Sequence, residues 1–166
     1  MMQTVRRITP CLWFDTQGEA AANFYVGIFK NSKITQISRY SEAGRETHRK
    51  EPGTAMVVAF ELDGQPFTAL NGGPHFKINE AVSFQISCDA QEEIDYFWEK
   101  LTDGGDPKAQ RCGWLKDKFG VSWQIVPREL ADMVADHDSS KTSRVMAALL
   151  PMKKLDIKTL ERAFRG

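Results

Sequence analysis

The sequence predicts an α+β fold: two βαβββ modules forming strongly curved mixed sheets around a cavity, with a short helical C-terminal tail. Three observations carry this. DTQGE at 15–19 returns as DAQEE at 89–93, 74 residues on. Each copy follows an extended apolar stretch and precedes a helical pattern. Strand-like pieces separated by turn signals follow each helix, whereas everything after Pro127 reads as helix.

The first strand is RITPCLWF (7–14) and its counterpart is AVSFQISC (81–88). Helices are expected over 17–29 and 91–103. In the first, Ala20, Phe24 and Ile28 recur at four-residue steps, with Tyr25 and Phe29 widening the stripe. In the second, Ile94, Phe97, Trp98 and Leu101 do the same. Asp15 and Asp89 suit N-caps, and Gly104 suits the C′ position. Three strands then follow in the first half, KITQISRY, TAMVVAFEL and PFTALN, with Asp63-Gly64 as a hairpin turn. In the second half only shorter pieces remain, near 109–116 and 122–126, around Phe119-Gly120. Matching Gly64 to Gly120 gives an offset of 56, so the second copy is 18 residues shorter. Most of that loss corresponds to the polar loop SEAGRETHRKEPG (41–53). The tail reads as three short helices, with Ser139 or Ser140 and Asp156 as caps and Pro151 as a breaker. They are expected to cover a sheet edge or a partner subunit. The expected divisions are a first module over 1–75, a second over 76–127 and a helical extension over 128–166, together one compact domain.

Lys plus Arg and Asp plus Glu are equal at 22 each. That balance supplies no field for nucleic acid or an anionic membrane, so neither is expected as a partner. No apolar run reaches the length of a transmembrane span, and the first ten residues lack the apolar core of a signal peptide. Cys11, Cys88 and Cys112 are odd in number and unevenly spaced, which fits reduced thiols in a cytoplasmic protein.

Strand alternation sorts the side chains. Val82, Phe84, Ile86 and Cys88 share one face of their strand; Ser83, Gln85 and Ser87 share the other. The 74-residue offset puts Ile8, Pro10, Leu12 and Phe14 on the apolar face of the first strand, and Thr9, Cys11 and Trp13 opposite. The 56-residue offset matches Phe67 and Ala69 to Trp123 and Ile125, leaving Thr68 matched to Gln124. A solvated outer face accommodates these Ser, Thr and Gln residues. Trp13, Leu70 and Val126 on the same faces argue instead for a concave, partly apolar pocket.

Paired modules of this length resemble the vicinal oxygen chelate superfamily of glyoxalase I, extradiol dioxygenases and bleomycin-resistance proteins. ITPCLWFDTQGEAAANFY, GQPFTALNGGPHFKINEAVSFQISC, QEEIDYFWEKL, CGWLKDKFGVSWQIVP and KLDIKTLERAF are similar to its PhnB-like branch, labelled the 3-demethylubiquinone-9 3-methyltransferase domain. Metal-using members take His and Glu ligands from the first and last strands of each module. The resemblance places those positions at Thr9, Thr68, Ser83 and Gln124, with Gln124 standing where the family keeps a carboxylate. A buried divalent ion needs compensating charge, and these four residues supply only neutral dipoles. No metal and no cofactor are therefore expected. Methyl transfer is not expected either, because the chain lacks the GxGxxG turn common in methyltransferases.

Other groups carry weaker chemistry. His75 could line a cavity mouth or be an exposed loop residue. His48 and His137 lack zinc-ligand spacing. Cys112 could be a reactive thiol or a buried small hydrophobe. Lys116-Asp117-Lys118 reads as a solvated turn. Trp98 and Trp123 are expected in the core, Trp13 and Trp114 on the pocket side. The expected ligand-binding residues are Thr9, Cys11, Trp13, Thr68, Leu70, Ser83, Gln85, Cys112, Trp114 and Gln124. Three classes of function follow: a metal-free protein binding a small, partly aromatic or apolar molecule, an enzyme on an unknown substrate, or a structural dimer. Open sheet edges lead to the expectation of a homodimer.

Overall fold

In the computed structural model, which describes residues 7–166, the chain divides into two units, one through Ile78 and one from Asn79 to Gly166. The first runs β1 (Cys11–Phe14), α1 (Gly18–Val26), β2 (Lys33–Arg39), α2 (Arg45–His48), β3 (Ala55–Leu62) and β4 (Gln65–Asn71). Its sheet has the order β1-β4-β3-β2, with β1 parallel to β4 and the other pairs antiparallel. The Asp63-Gly64 hairpin forms with both residues at positive φ, 47° and 72°, as a tight two-residue turn requires.

Helix α1 packs on β3 and β4. Its buried stripe is Ala21, Ala22 and Tyr25, with Tyr25 stacked on Phe60. The expected stripe is rotated: Ala20 is exposed and Phe24 half-buried, because the two small alanines let the helix approach the sheet closely. The helix also ends at Val26, short of residue 29. Its N-cap position is Gln17, not Asp15. The helix start is pinned by Asn71, which is buried at the end of β4. Its side-chain oxygen accepts from the Gly18 N–H at 2.7 Å, and its amide donates to the Ala55 carbonyl at 3.0 Å.

The second unit contains β5 (Ser83–Cys88), α3 (Gln91–Thr102), a 3₁₀ turn (Pro107–Ala109), β6 (Trp114–Lys116) and β7 (Ser122–Pro127). These strands form a three-stranded sheet, β5-β7-β6, again with the first strand parallel to the last. Among the described residues, the fourth strand of the repeat is reduced here to a single Arg111–Trp114 bridge. The two sheets share one register. Cys11 faces Thr68 in the first, and Gln85 faces Gln124 in the second, so both sequence offsets hold at once. Gly104 takes positive φ just after α3 as expected. The N-cap of α3 is Ala90, while the Glu93 carboxylate accepts from the Asp89 N–H. Ile8 and Val82 are exposed and Trp98 is half-buried, so the apolar faces are narrower than alternation alone suggested.

The tail forms α4 (Leu130–Ala135), α5 (Ser139–Leu149) and α6 (Ile157–Arg165). Asp138 rather than a serine caps α5, and Asp156 caps α6. Met133, Val145, Leu149, Leu155 and Leu160 make a core against Cys112 and Val126. Full burial of such a leucine contributes about 1.5–3 kcal/mol. The tail therefore belongs to the second unit.

Candidate functional site

Each sheet has one face under its helix and one face free of that helix, though in the second unit the tail packs against Val126 at one end of the free face. In the first unit the free face carries two rows of residues side by side, Cys11–Thr68–Ala59 and Trp13–Leu70–Val57. In the second the equivalent row is Gln85–Gln124–Trp114, followed by Ser83–Ser122–Lys116. The fold thus gathers Cys11, Trp13, Thr68 and Leu70 on one sheet, and Ser83, Gln85, Trp114 and Gln124 on the other. Thr9 is exposed ahead of β1. Cys112 lies apart from these rows. Its thiol reaches the Leu149 and Leu150 carbonyls of the tail.

Trp13 is fixed rather than loose. Its indole N–H donates to the Gly73 carbonyl at 2.9 Å, and Phe76 packs edge-on at 4.8 Å. A side chain at Gly72 would come within 2.2 Å of the indole, so the loop needs glycine for the ring to lie against its backbone. Trp13 therefore presents a rigid aromatic wall.

Gln124 is half-buried. Its amide donates to Ser83 Oγ at 2.8 Å and accepts from Gln85 Nε2 at 3.4 Å. Ser122 is buried beside it, and its hydroxyl has no hydrogen-bond partner among the described residues. Lys116 closes the row and pairs with Glu80. That contact holds the Glu80 carboxyl below its ordinary range. Ser122 shares Gln124's face by strand alternation alone and was overlooked, whereas only the β6–β7 register shows that Lys116 joins it.

The neighbouring turn is not the solvated one expected. Asp117 is buried, and its carboxylate accepts from the Phe119 and Val121 N–H groups and from the Trp123 indole. It anchors β7 from the opposite face and so holds Gln124 in place. His75 is exposed. His48 stacks on Tyr40, and His137 is exposed. Cys88 is buried, and desolvation pushes its thiol up to about 12, which keeps it protonated and unreactive near neutrality.

A metal does not fit these residues. Thr68, Ser83 and Gln124 are neutral, and the Gln124 amide is already engaged. Among the described residues no group of three or more His, Cys, Asp or Glu side chains could hold an ion. No helix there is long and apolar enough to cross a membrane.

The family model for 3-demethylubiquinone-9 3-methyltransferase matches residues 6–126. The chain belongs to this family. Among solved structures it is similar to a putative 3-demethylubiquinone-9 3-methyltransferase, PhnB protein, from Bacillus cereus. Identity is 35%, over 74% of this chain and 99% of that one, with a TM-score of 0.62. Protein PA1353 from Pseudomonas aeruginosa is 18% identical, covering 73% of this chain and 96% of its own, at a TM-score of 0.55. The fosfomycin resistance protein FosX from Listeria monocytogenes is 17% identical, over 80% and 97%, at a TM-score of 0.50. These likenesses place the PhnB-like chain in the vicinal oxygen chelate fold. No curated protein matches. The family match ends at Val126, one residue before β7 ends, so the helical tail lies outside it.

Proposed function

We propose that this PhnB-like protein binds a small, partly aromatic or apolar molecule without a metal ion, on the free face of its second sheet. The observation that carries this reading is Gln124. At the position where metal-using relatives are expected to keep a carboxylate, it is locked by Ser83 and Gln85 into a network of neutral donors and acceptors. Such groups orient a ligand by hydrogen bonds, while Trp114, beside Gln124 in the same row, offers it apolar surface. Methyl transfer is not part of the proposal. At the β1–α1 turn, the Gly18 N–H that a nucleotide-type cofactor would approach is taken by Asn71. A homodimer, expected from the open sheet edges, and a cytoplasmic location, expected from the unpaired cysteines, complete the reading. Sedimentation at twice the 18.8 kDa chain mass supports the dimer, and monomeric sedimentation at micromolar concentration defeats it.

Two measurements test the binding reading. In a thermal-shift screen of flat aromatic metabolites, a ligand at 100 times its dissociation constant should stabilise the protein by about 2.7 kcal/mol. Trp114→Ala should abolish that gain. A panel that stabilises wild type and variant alike refutes the assigned face. Gln124→Glu should cost about 1–3 kcal/mol at pH 8, because a half-buried carboxylate replaces a satisfied amide. The loss should shrink at pH 5, since desolvation raises that carboxylate's pKa and the protonated form is tolerated. Equal stability of the two proteins at both pH values would mean that Gln124 faces open solvent.

A further inference from the structure

At the end of the first sheet where β1 leads into α1 lies a cleft of about 370 Å³. Asp15, Glu19, Arg39, Tyr40, Arg49 and Lys50 contribute to its walls, all from the first unit. The repeat supplies a control. By the two offsets, Asp15 and Asn71 correspond to Asp89 and Pro127, which border a cavity of only about 80 Å³ in the second unit. There Met133, Ile157 and Leu160 of the tail fill the corner. The same corner is closed by the chain itself in one unit and left open and charged in the other.

The wall of the open corner holds three carboxylates and three cations, but not all of them pair within it. Glu19 pairs with Arg39 at 3.3 Å, and Asp15 with Lys50 at 3.7 Å. Glu51, also in the wall, pairs with Arg45 at 2.7 Å. The Arg49 side chain has no ion pair or hydrogen bond among the described residues, so it is the one cation of the cleft without a carboxylate there. A guanidinium presents a planar fork of donors suited to a carboxylate or phosphate. The neighbouring Asp15 and Glu51 carboxylates keep lone pairs free for a ligand's own O–H or N–H groups.

We propose that this cleft binds a small organic anion, a carboxylate or phosphate that also carries hydroxyl or amine donors, with Arg49 as its anchor. The site is lined by other residues than the rows of Trp13 and Gln124 and does not depend on the function assigned to them.

The test is a two-dimensional amide NMR titration with acetate, glycolate and inorganic phosphate at constant ionic strength, on wild type, Arg49→Ala and Arg49→Gly. Glycolate against acetate tests the added hydroxyl, and phosphate against acetate tells the two anion types apart. Saturable shifts centred on residues 49–51 and 54 are expected, with glycolate binding more tightly than acetate. Binding should weaken about 10- to 100-fold in both variants, the range for losing hydrogen bonds to a charged group. Arg49 has φ 56°, which glycine adopts without strain, so Arg49→Gly keeps the fold while removing the charge. Shifts that rise linearly without saturation, or an affinity unchanged in Arg49→Gly, overturn the proposal.

Discussion

Val58 faces Ala69 across the β3–β4 ladder of the first unit, and Gly113 takes the equivalent place opposite Ile125 in the second. The larger residue has moved from one strand to the other. The missing side chain at 113 is supplied from elsewhere: a Cβ there would lie 3.1 Å from Leu155, which the tail inserts at that point. The tail backbone also hydrogen-bonds this edge, since the Cys112 and Gly113 N–H groups donate to the Met152 and Lys153 carbonyls at 2.8 Å. Thus the shorter module lost part of its own sheet and recovered the packing from the C-terminal extension. The comparison shows that the tail is structural, an internal replacement for β-structure.

The strongest way to break this comparison is Leu155→Ala. Removing a fully buried leucine leaves a cavity under Gly113 and should cost about 2–5 kcal/mol in denaturant unfolding. A loss below about 0.5 kcal/mol would show that the tail merely rests on the sheet.

Gln91 and its repeat partner Gln17 sharpen the comparison. The Gln91 amide donates to the Leu155 carbonyl at 3.1 Å and accepts from the Ile157 N–H at 2.9 Å. Gln17 is exposed at the start of α1. Gln91→Ala should cost about 1–2 kcal/mol by freeing two backbone groups, and Gln17→Ala less than about 0.5. Equal effects would contradict the assignment of Gln91 as the tail's clasp.

The smallest expected effect concerns Cys88, which occupies the place of Phe14. Burial raises its thiol from 9.0 to about 12. The sign follows from linkage: above about pH 9 the unfolded thiol ionises while the folded one cannot, so stability falls as pH rises. The loss attributable to this group is about 1 kcal/mol by pH 10. Cys88→Ala should lose stability less steeply over pH 8–10, and an identical slope in the two proteins would count against the burial argument.

The sequence by itself determined the repeat, the order of elements and the faces of the strands. Those follow from local rules: alternation along a strand, the 3.6-residue period of a helix, and the positive φ required at Asp63-Gly64. It also placed Gln124, because a strand with Trp123 and Ile125 buried must turn residue 124 the other way. Only the tertiary structure decided what depends on contacts between distant segments. The Asp117 carboxylate is buried because the Trp123 indole and two turn N–H groups satisfy it, which no local pattern reveals. Ala21 and Ala22, not Ala20, meet the sheet, and the start of α1 is held by Asn71, 53 residues from Gly18. Cys112 belongs to the tail rather than to the free face, because the chain turns at φ 50° there and sends its thiol toward α5. The corner beside Arg49 differs for the same kind of reason: Met133, Ile157 and Leu160 of the tail bury apolar surface at the equivalent corner of the second unit, whereas charged side chains line the first.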